Sequence, residues 1–359
     1  MEVETVLILQ GGGSLGAYEC GVYKTLHKHR IKFDIIAGTS IGGINASIIA
    51  GSKNEDPSKD LEDFWLGLAE TISPSFLTDG MRAFSSSMYS ALWGNPKIFQ
   101  PIWFTPNFSN FQYDYPYLYD ITPLKNTLKE YVDFEKLKKP ESTRLIVTST
   151  DIQNGKSVVF DSRHDNINAE HVLASAGFPF YGISWTKIND RYLWDGTLLN
   201  NTPLTEVIVA SPQRDKKVFI VNLFPRNQKE IPKNMFEAYH RARDIMHTDK
   251  TDQTVRMSKA ISSYLEMLKE MHNLLMENSD SGRLDEKSKE RFLKMEPKYH
   301  KFAVERGAVI REITRIERQE DIHFLFEDAD FSRDTIKQLI QNGERDAENT
   351  LSKTRAKKN

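Results

Sequence analysis

The sequence predicts an α/β fold, a largely parallel sheet with helices on both faces. Three observations carry that expectation. Short apolar runs, several of them continuous as in a sheet covered on both sides, alternate with helix-length segments over the first 225 residues. Two consecutive strand-to-helix junctions are glycine-punctuated turns, Gly11-Gly12-Gly13-Ser14-Leu15-Gly16 and Gly38-Thr39-Ser40-Ile41-Gly42. A later aromatic-rich run, Tyr192-Leu193-Trp194, ends in Asp195-Gly196.

Taken in order, strands are expected at Thr5–Leu9, Asp34–Ala37, Arg144–Thr150, Ser157–Phe160, Tyr192–Trp194 and Val218–Leu223. Helices are expected between them at Ala17–Lys28, Gly42–Gly51, Asp60–Leu68, Pro123–Tyr131 and Asn168–Ala176. Thr202-Pro203 before Leu204–Ala210 reads as a helix start, with the hydroxyl as cap and proline in the first position.

Residues 76–119 break the alternation. They hold 13 of the chain's 38 aromatic residues, among them Phe76, Phe84, Trp93, Phe99, Trp103, Phe104, Phe108, Phe111 and Tyr113, a density that demands a packing partner or a ligand. Prolines 96, 101, 106 and 116 argue against a long regular element. The segment is expected either as an aromatic mini-core or as a cap walling an apolar pocket, with Trp103 and Phe104 reaching the ligand.

After Pro232 the composition turns charged and helical. Ile261, Tyr264, Leu265, Leu268, Met271 and Leu275 recur at helical spacing, and this stripe is expected to pack on the core. A membrane-surface or dimer contact is the alternative. Asp280-Ser281-Gly282 breaks the helix, a second runs from about Asp285 to Glu305, and Val309–Arg318 and Ile322–Phe326 alternate as strands do. A last helix starts near Ser332. The domains expected are 3–224 as the α/β unit with 76–119 inserted as a cap, 231–350 as a mostly helical extension that returns a strand to it, and 351–359 as a disordered tail.

At 359 residues the chain holds one large domain or two small ones. With 48 basic and 50 acidic residues the net charge is −2, which offers no basic excess to a nucleic acid. A single cysteine, Cys20, cannot form an internal disulfide, so a reducing cytoplasm is expected. Met1–Thr5 lacks the basic start of a secretory signal. No apolar run approaches the ~18 residues of a spanning helix.

The second glycine turn reads G-x-S-x-G, in which a serine sits on a strained turn at the head of a helix. The first offers backbone N–H groups at a helix N-terminus. A nucleophile and oxyanion donors within 30 residues of each other point to acyl transfer. Each turn alone has other readings. G-x-G-x-x-G is also the dinucleotide fingerprint, and Asp34 follows Gly16 at the distance of a ribose partner. That acid caps the strand's end in a dinucleotide fold, whereas Asp34 stands at the start and Ser40 at the end. Glycines serving only as tight turns are a third reading.

A base is needed as well. None of the nine histidines lies in a turn at a strand end; most fall in charged helical stretches. An ordinary α/β-hydrolase places several strands before its serine, and only two precede Ser40. Asp195 is the better base, with a surface Asp-Gly turn as the competing reading. No cluster has metal-ligand spacing, and neither metal nor cofactor is expected.

With these motifs in hand, the chain resembles the patatin-like phospholipase family over roughly residues 3–224. The glycine-rich loop at 11–16, G-x-S-x-G at 38–42 and Asp195-Gly196 match in order, with a softer match at Leu173-Ala174-Ser175-Ala176-Gly177-Phe178-Pro179. The resemblance implies a patatin-like three-layer sandwich, Ser40 as nucleophile, Asp195 as base, and the amides of Gly11, Gly12 and Gly13 as oxyanion donors. Gly16, Gly38, Gly42 and Gly196 are the motif glycines. The sequence departs from the pattern at Leu15, where the family's loop is basic, and at Thr197, where Ala or Gly is usual. Gly-Gly-Gly-Ser-Leu-Gly-Ala-Tyr is similar to a bacterial and archaeal branch that includes polyhydroxybutyrate depolymerase-like proteins. The implied function is a serine lipid acyl hydrolase acting on a lipid or ester, with a membrane surface and a homo-oligomer left open. A hydroxyalkanoate depolymerase on the same pair is the rival enzyme. A nucleotide-binding or interaction protein is the rival from another class.

Overall fold

Alternation along the first strand divides the molecule. Leu7 and Leu9 belong to one hydrophobic core, Val6 and Ile8 to another on the opposite face of the sheet. The computed structural model describes residues 3–74, 76–104, 116–224, 226–228, 231–319 and 327–358. In its first half β1 (Val3–Leu9), α1 (Gly16–Lys28), β2 (Ile35–Thr39), α2 (Ile41–Gly51), α3 (Pro57–Leu68) and α4 (Asp79–Trp93) come first. The short β3 (Gln100–Pro101) and β4 (Tyr119–Asp120), then α5 (Thr122–Tyr131), β5 (Arg144–Asp151) and β6 (Ser157–Asp161), follow. Next come α6 (Ala169–Ala174), β7 (Thr186–Ile188), β8 (Arg191–Asp195), α7 (Leu204–Ala210) and β9 (Asp215–Asn222). The chain continues with α8 (Met235–Asp280), α9 (Glu286–Tyr299), β10 (Ile310–Glu317) and α10 (Arg333–Lys358).

Among the described residues the main sheet has the order β10-β9-β1-β2-β5-β8-β7, with β6 also on β5. The five strands β10, β9, β1, β2 and β5 are mutually parallel. β8 and β6 run antiparallel to β5, and β7 to β8. Helices α1, α2, α3, α5, α6 and α10 bury apolar side chains on one face, and α7 with Val255 of α8 on the other. Three layers and a mostly parallel sheet are thus what the apolar runs encode.

The C-terminal segments complete the layers. β10 pairs with β9, Ser262 of α8 accepts a hydrogen bond from the β10 amide of Ile310 at 2.9 Å, and α10 lies along α1. Cys20 is buried within that α1 layer.

Several expectations are corrected. Residues 79–93 form a helix, because the prolines begin only beyond its end at Gly94. The Thr202 hydroxyl does not cap α7; it is hydrogen-bonded to Gln10 and Thr251 instead. The stripe on α8 does not pack on the core: Ile261, Tyr264 and Met271 are half or more exposed, while the side of the helix that meets β10 carries Ser262 and Glu266. Residues 351–358 are helical rather than a disordered tail, because Leu351 is buried and Lys353 and Arg355 beyond it suit a helix C-terminus. Phe108, Phe111, Tyr113 and the strand expected at Ile322–Phe326 lie outside the described residues.

Truncation after Glu230 would strip β10 from the β9 edge and α10 from α1. We expect the fragment to be insoluble or inactive; a soluble fragment with full activity in an esterase assay would show that residues 231–359 are a separate module.

Candidate active site

Strand register assembles the site. Leu9 pairs with Gly38, Thr39 with Thr148, and Ser149 with Asp195. Continuing each ladder past its last pair sets Gly11, Ser40, Ser149 and Asp195 in one row across the carboxyl edge of the parallel strands. Four segments far apart in sequence therefore meet there.

Ser40 sits at φ 57° and ψ −128°, a conformation that L-residues avoid and that costs about 1–3 kcal/mol. It is the N-cap of α2, so the positive end of that helix faces the turn. The bend depends on close backbone approach: a Cβ on Gly42 would lie 2.4 Å from the Leu9 carbonyl oxygen. The amide of Ser40 donates to the Ser175 hydroxyl at 2.9 Å, and that hydroxyl donates to the Thr148 carbonyl at 2.6 Å. Ser175 thus fastens the turn to β5. It lies just after α6, whose start is fixed by Asn168 accepting from the Glu170 amide.

Asp195 is buried at the end of β8. Its Oδ1 accepts from the Thr197 amide at 2.8 Å, while Oδ2 is buried without a hydrogen bond of ordinary geometry. Burial pushes its pKa up to about 6, and the nearby Ser40 hydroxyl and Thr197 limit the rise.

The glycine loop corrects one assignment. The Gly11 amide already donates to Asn201 Oδ1 at 2.7 Å, and Asn201 Nδ2 donates back to the Gly11 carbonyl at 3.1 Å. Gly11 is therefore held by Asn201 and has no N–H to offer an oxyanion, which leaves Gly12 and Gly13. Gly13 has φ 57°, and a Cβ there would meet the Asp328 carbonyl oxygen at 2.1 Å. Gln10 anchors the loop's start: its Oε1 accepts from the Leu223 amide at 2.9 Å and its Nε2 donates to Thr202 at 2.8 Å. Leu15 is buried in the core, a place that would not accept the charge the family carries there. Thr197 donates to Asn201 Oδ1 at 3.3 Å, so the departure from Ala or Gly ties the Asp195 turn to the loop.

Ser40, Asp195 and Gly11–Gly13 line one cavity of about 300 Å³. Its apolar wall includes Met88 and Ala91 of α4, with Ile98, Phe99, Ile121 and Ile183. The aromatic segment does face the cavity, but Trp103 and Phe104 do not: Trp103 packs on Phe104 and Tyr119, and Phe104 is half exposed. Among the described residues no histidine is hydrogen-bonded to Ser40 or Asp195. His247 of α8 does line the cavity, stacked on Phe224 at 4.8 Å, where burial and the Arg243 charge pull its pKa down to about 4. Arg243, His247 and Thr251 recur every four residues, the polar spacing that could have flagged this helix face. Asn201 and Ser175 carry no comparable local signal. No metal-holding group of His, Cys, Asp or Glu occurs among the described residues.

Fold and site together define an α/β protein with a serine on a strained strand-to-helix turn near a buried carboxylate. Residues 7–208 match the patatin-like phospholipases, and the chain belongs to that family. It is 38% identical to a triacylglycerol lipase, SDP1L, of Arabidopsis thaliana over 64 residues, 18% of this chain and 8% of that one. It is 23% identical to a cGAMP-activated phospholipase of Escherichia coli over 221 residues, 55% of this chain and 53% of that one. The chain therefore spans about half or less of the length of these curated relatives. VipD of Legionella pneumophila superposes with a TM-score of 0.41 at 12% identity, over 98% of this chain and 67% of that structure.

The raised pKa of Asp195 has a thermodynamic consequence. The folded value of about 6 exceeds an unfolded value near 3.9, so the group opposes folding once pH rises from ~4 through ~6, and not below. Asp195→Asn should be more stable than wild type above pH 6, by on the order of 2–3 kcal/mol, with the difference vanishing below pH 4. Urea titrations at pH 4 and pH 8 check this; equal stability at both would place Asp195 in a solvated setting. Asn201→Ala should free the Gly11 backbone and lower kcat by up to ~100-fold with a smaller change in KM. Steady-state kinetics on a p-nitrophenyl ester will show whether it does.

Proposed function

We propose that the protein is a serine lipid acyl hydrolase that cleaves carboxylic esters through Ser40 and Asp195. One observation carries the reading: the elbow serine, a buried carboxylate and the glycine loop at Gly12 and Gly13 line a single cavity walled by apolar side chains. Ser40 Oγ attacks the ester carbonyl and Asp195 takes its proton, which then goes to the departing alcohol. Water, deprotonated by the same carboxylate, cleaves the acyl-enzyme and restores Ser40. A carboxylate raised to about 6 is a stronger base near neutral pH than a solvated one. The loop amides stabilise the oxyanion, at about 3–4 kcal/mol per donor in comparable sites.

The apolar wall supports an alkyl chain as the acyl group, in preference to the hydroxyalkanoate repeat that the same two residues could also cleave. The Gly-Gly-Gly-Ser-Leu-Gly-Ala-Tyr motif supports placement in the bacterial and archaeal branch. Two carboxylates, Asp195 and Asp328, lie on the cavity wall beside the loop and disfavour a nucleotide's phosphates there. Exposed Met81, Phe84, Leu92 and Trp93 on α4, the helix that supplies Met88 and Ala91 to the wall, support uptake of lipid from a membrane surface. Among the described residues no helix is long and apolar enough to cross a membrane. A cytoplasmic setting fits the buried, unpaired Cys20.

A fluorophosphonate should label wild type at Ser40, and Ser40→Ala should lose labelling and on the order of 10³-fold or more of ester hydrolysis. An active, labelled Ser40→Ala would move the nucleophile elsewhere. Phe99→Ala should lower kcat/KM for long-chain esters about tenfold while affecting acetate esters less; equal losses would make Phe99 a folding residue only.

A further inference from the structure

The cavity has a second, polar end that the hydrolytic chemistry does not use. It is built by residues C-terminal to the matched region: Arg243 and His247 of α8, and Asp328, which follows β10. Phe224 locates this end on the glycine-loop side. A Cβ on Gly12 would lie 3.5 Å from the Phe224 ring, Arg243 lies over that ring at 5.2 Å, and His247 stacks on it.

Its hydrogen-bonding capacity is unusual in what is left over. Asp328 Oδ2 accepts from both Arg243 Nη1 and the Tyr181 hydroxyl. Arg243 Nη2 is taken by Asp244 at 3.1 Å, so the guanidinium is already committed to carboxylates. Asp328 is only 6% exposed, yet its Oδ1 is buried without a partner, and so is His247 Nδ1. Asp328 and His247 both line the cavity, and each carries a buried polar atom without a partner, one a pure acceptor and one able to donate or accept.

We propose that Asp328 and His247 form a subsite for a free hydroxyl on the alcohol side of the substrate, so that the preferred ester is a hydroxyl-bearing neutral glycerolipid of the monoacylglycerol type. The inference rests on the hydrolase reading and adds the substrate's polar half to it. A hydroxyl donates its one hydrogen to Asp328 Oδ1 and accepts from His247 in the tautomer that carries the proton on Nδ1. The acyl chain lies at the other end, against Met88, Ile98 and Phe99, and the ester carbonyl falls between, at Ser40. A phosphate in the same place would face the Asp328 carboxylate with the Arg243 charge already neutralised, and is rejected.

Equilibrium binding separates this inference from the catalytic one, because non-hydrolysable ligands need no turnover. The ligands are 1-O-octylglycerol, its di-O-methyl ether and 1-O-octylglycerol 3-phosphate, titrated calorimetrically into the full-length protein. The free diol should bind about tenfold more tightly than either of the others. His247→Phe, which keeps a ring on Phe224, and Asp328→Asn should each reduce that preference to near one. If Asp328→Asn fails to fold, the wild-type series and His247→Phe still decide. A methyl ether that binds as well as the diol, or a phosphate that binds best, overturns the subsite. Failure of wild type to hydrolyse any p-nitrophenyl ester would overturn the hydrolase reading by itself, whatever the binding series shows.

Discussion

The in-register pairing of β1, β2, β5 and β8 is the constraint on which the rest of the site depends. Adjacent strands lie about 4.8 Å apart, so a row across four of them brings loop, serine and carboxylate within side-chain reach. A slip of one residue between β5 and β8 would turn Asp195 to the other face of the sheet. Local polar contacts hold the row at its ends. Ser175 fastens the serine turn to β5, Asn201 grips Gly11 through both its amide and its carbonyl, and Gln10 ties β1 to the end of β9. None of these side chains is proposed to touch the reacting atoms, yet together they fix where those atoms can be.

The arrangement stores free energy against folding at two points. Ser40 occupies a disfavoured backbone region, and Asp195 is a carboxylate buried with one oxygen unsatisfied. Strain and desolvation of this kind gather at reactive sites because a relaxed, solvated pair would be unreactive. Offsetting them requires a large core, and the C-terminal third contributes to it. Ile316, Ile336, Leu339 and Ile340 join the same buried cluster as α1 and α2. That third also reaches the cavity itself, through Arg243, His247 and Asp328, so the region beyond residue 208 is part of the site's wall.

What the sequence made legible was local. The two glycine turns and Asp195-Gly196 each declare a backbone geometry within a few residues, and their neighbouring apolar runs declare strands. The parallel sheet and its flanking helices followed from the same runs. What stayed hidden was long-range pairing: Asn201 meets Gly11 across 190 residues, and Asp328 abuts Gly13 across more than 300, with no periodicity to announce either. The aromatic segment misled for a different reason. Its prolines all lie beyond α4, which is capped at Gly94, and Trp103 and Phe104 pack on one another while Phe99 faces the cavity. The α8 stripe misled because helical periodicity records amphipathicity and not what covers it.

The central claim, that a buried aspartate rather than a histidine activates Ser40, is tested most directly by the pH dependence of acylation. The second-order rate of fluorophosphonate labelling should rise through an apparent pKa of about 6 and level off above it in wild type. In His247→Phe that limb should remain, and in Asp195→Asn both the limb and most of the rate should be gone. A limb that persists at full amplitude in Asp195→Asn would contradict the account.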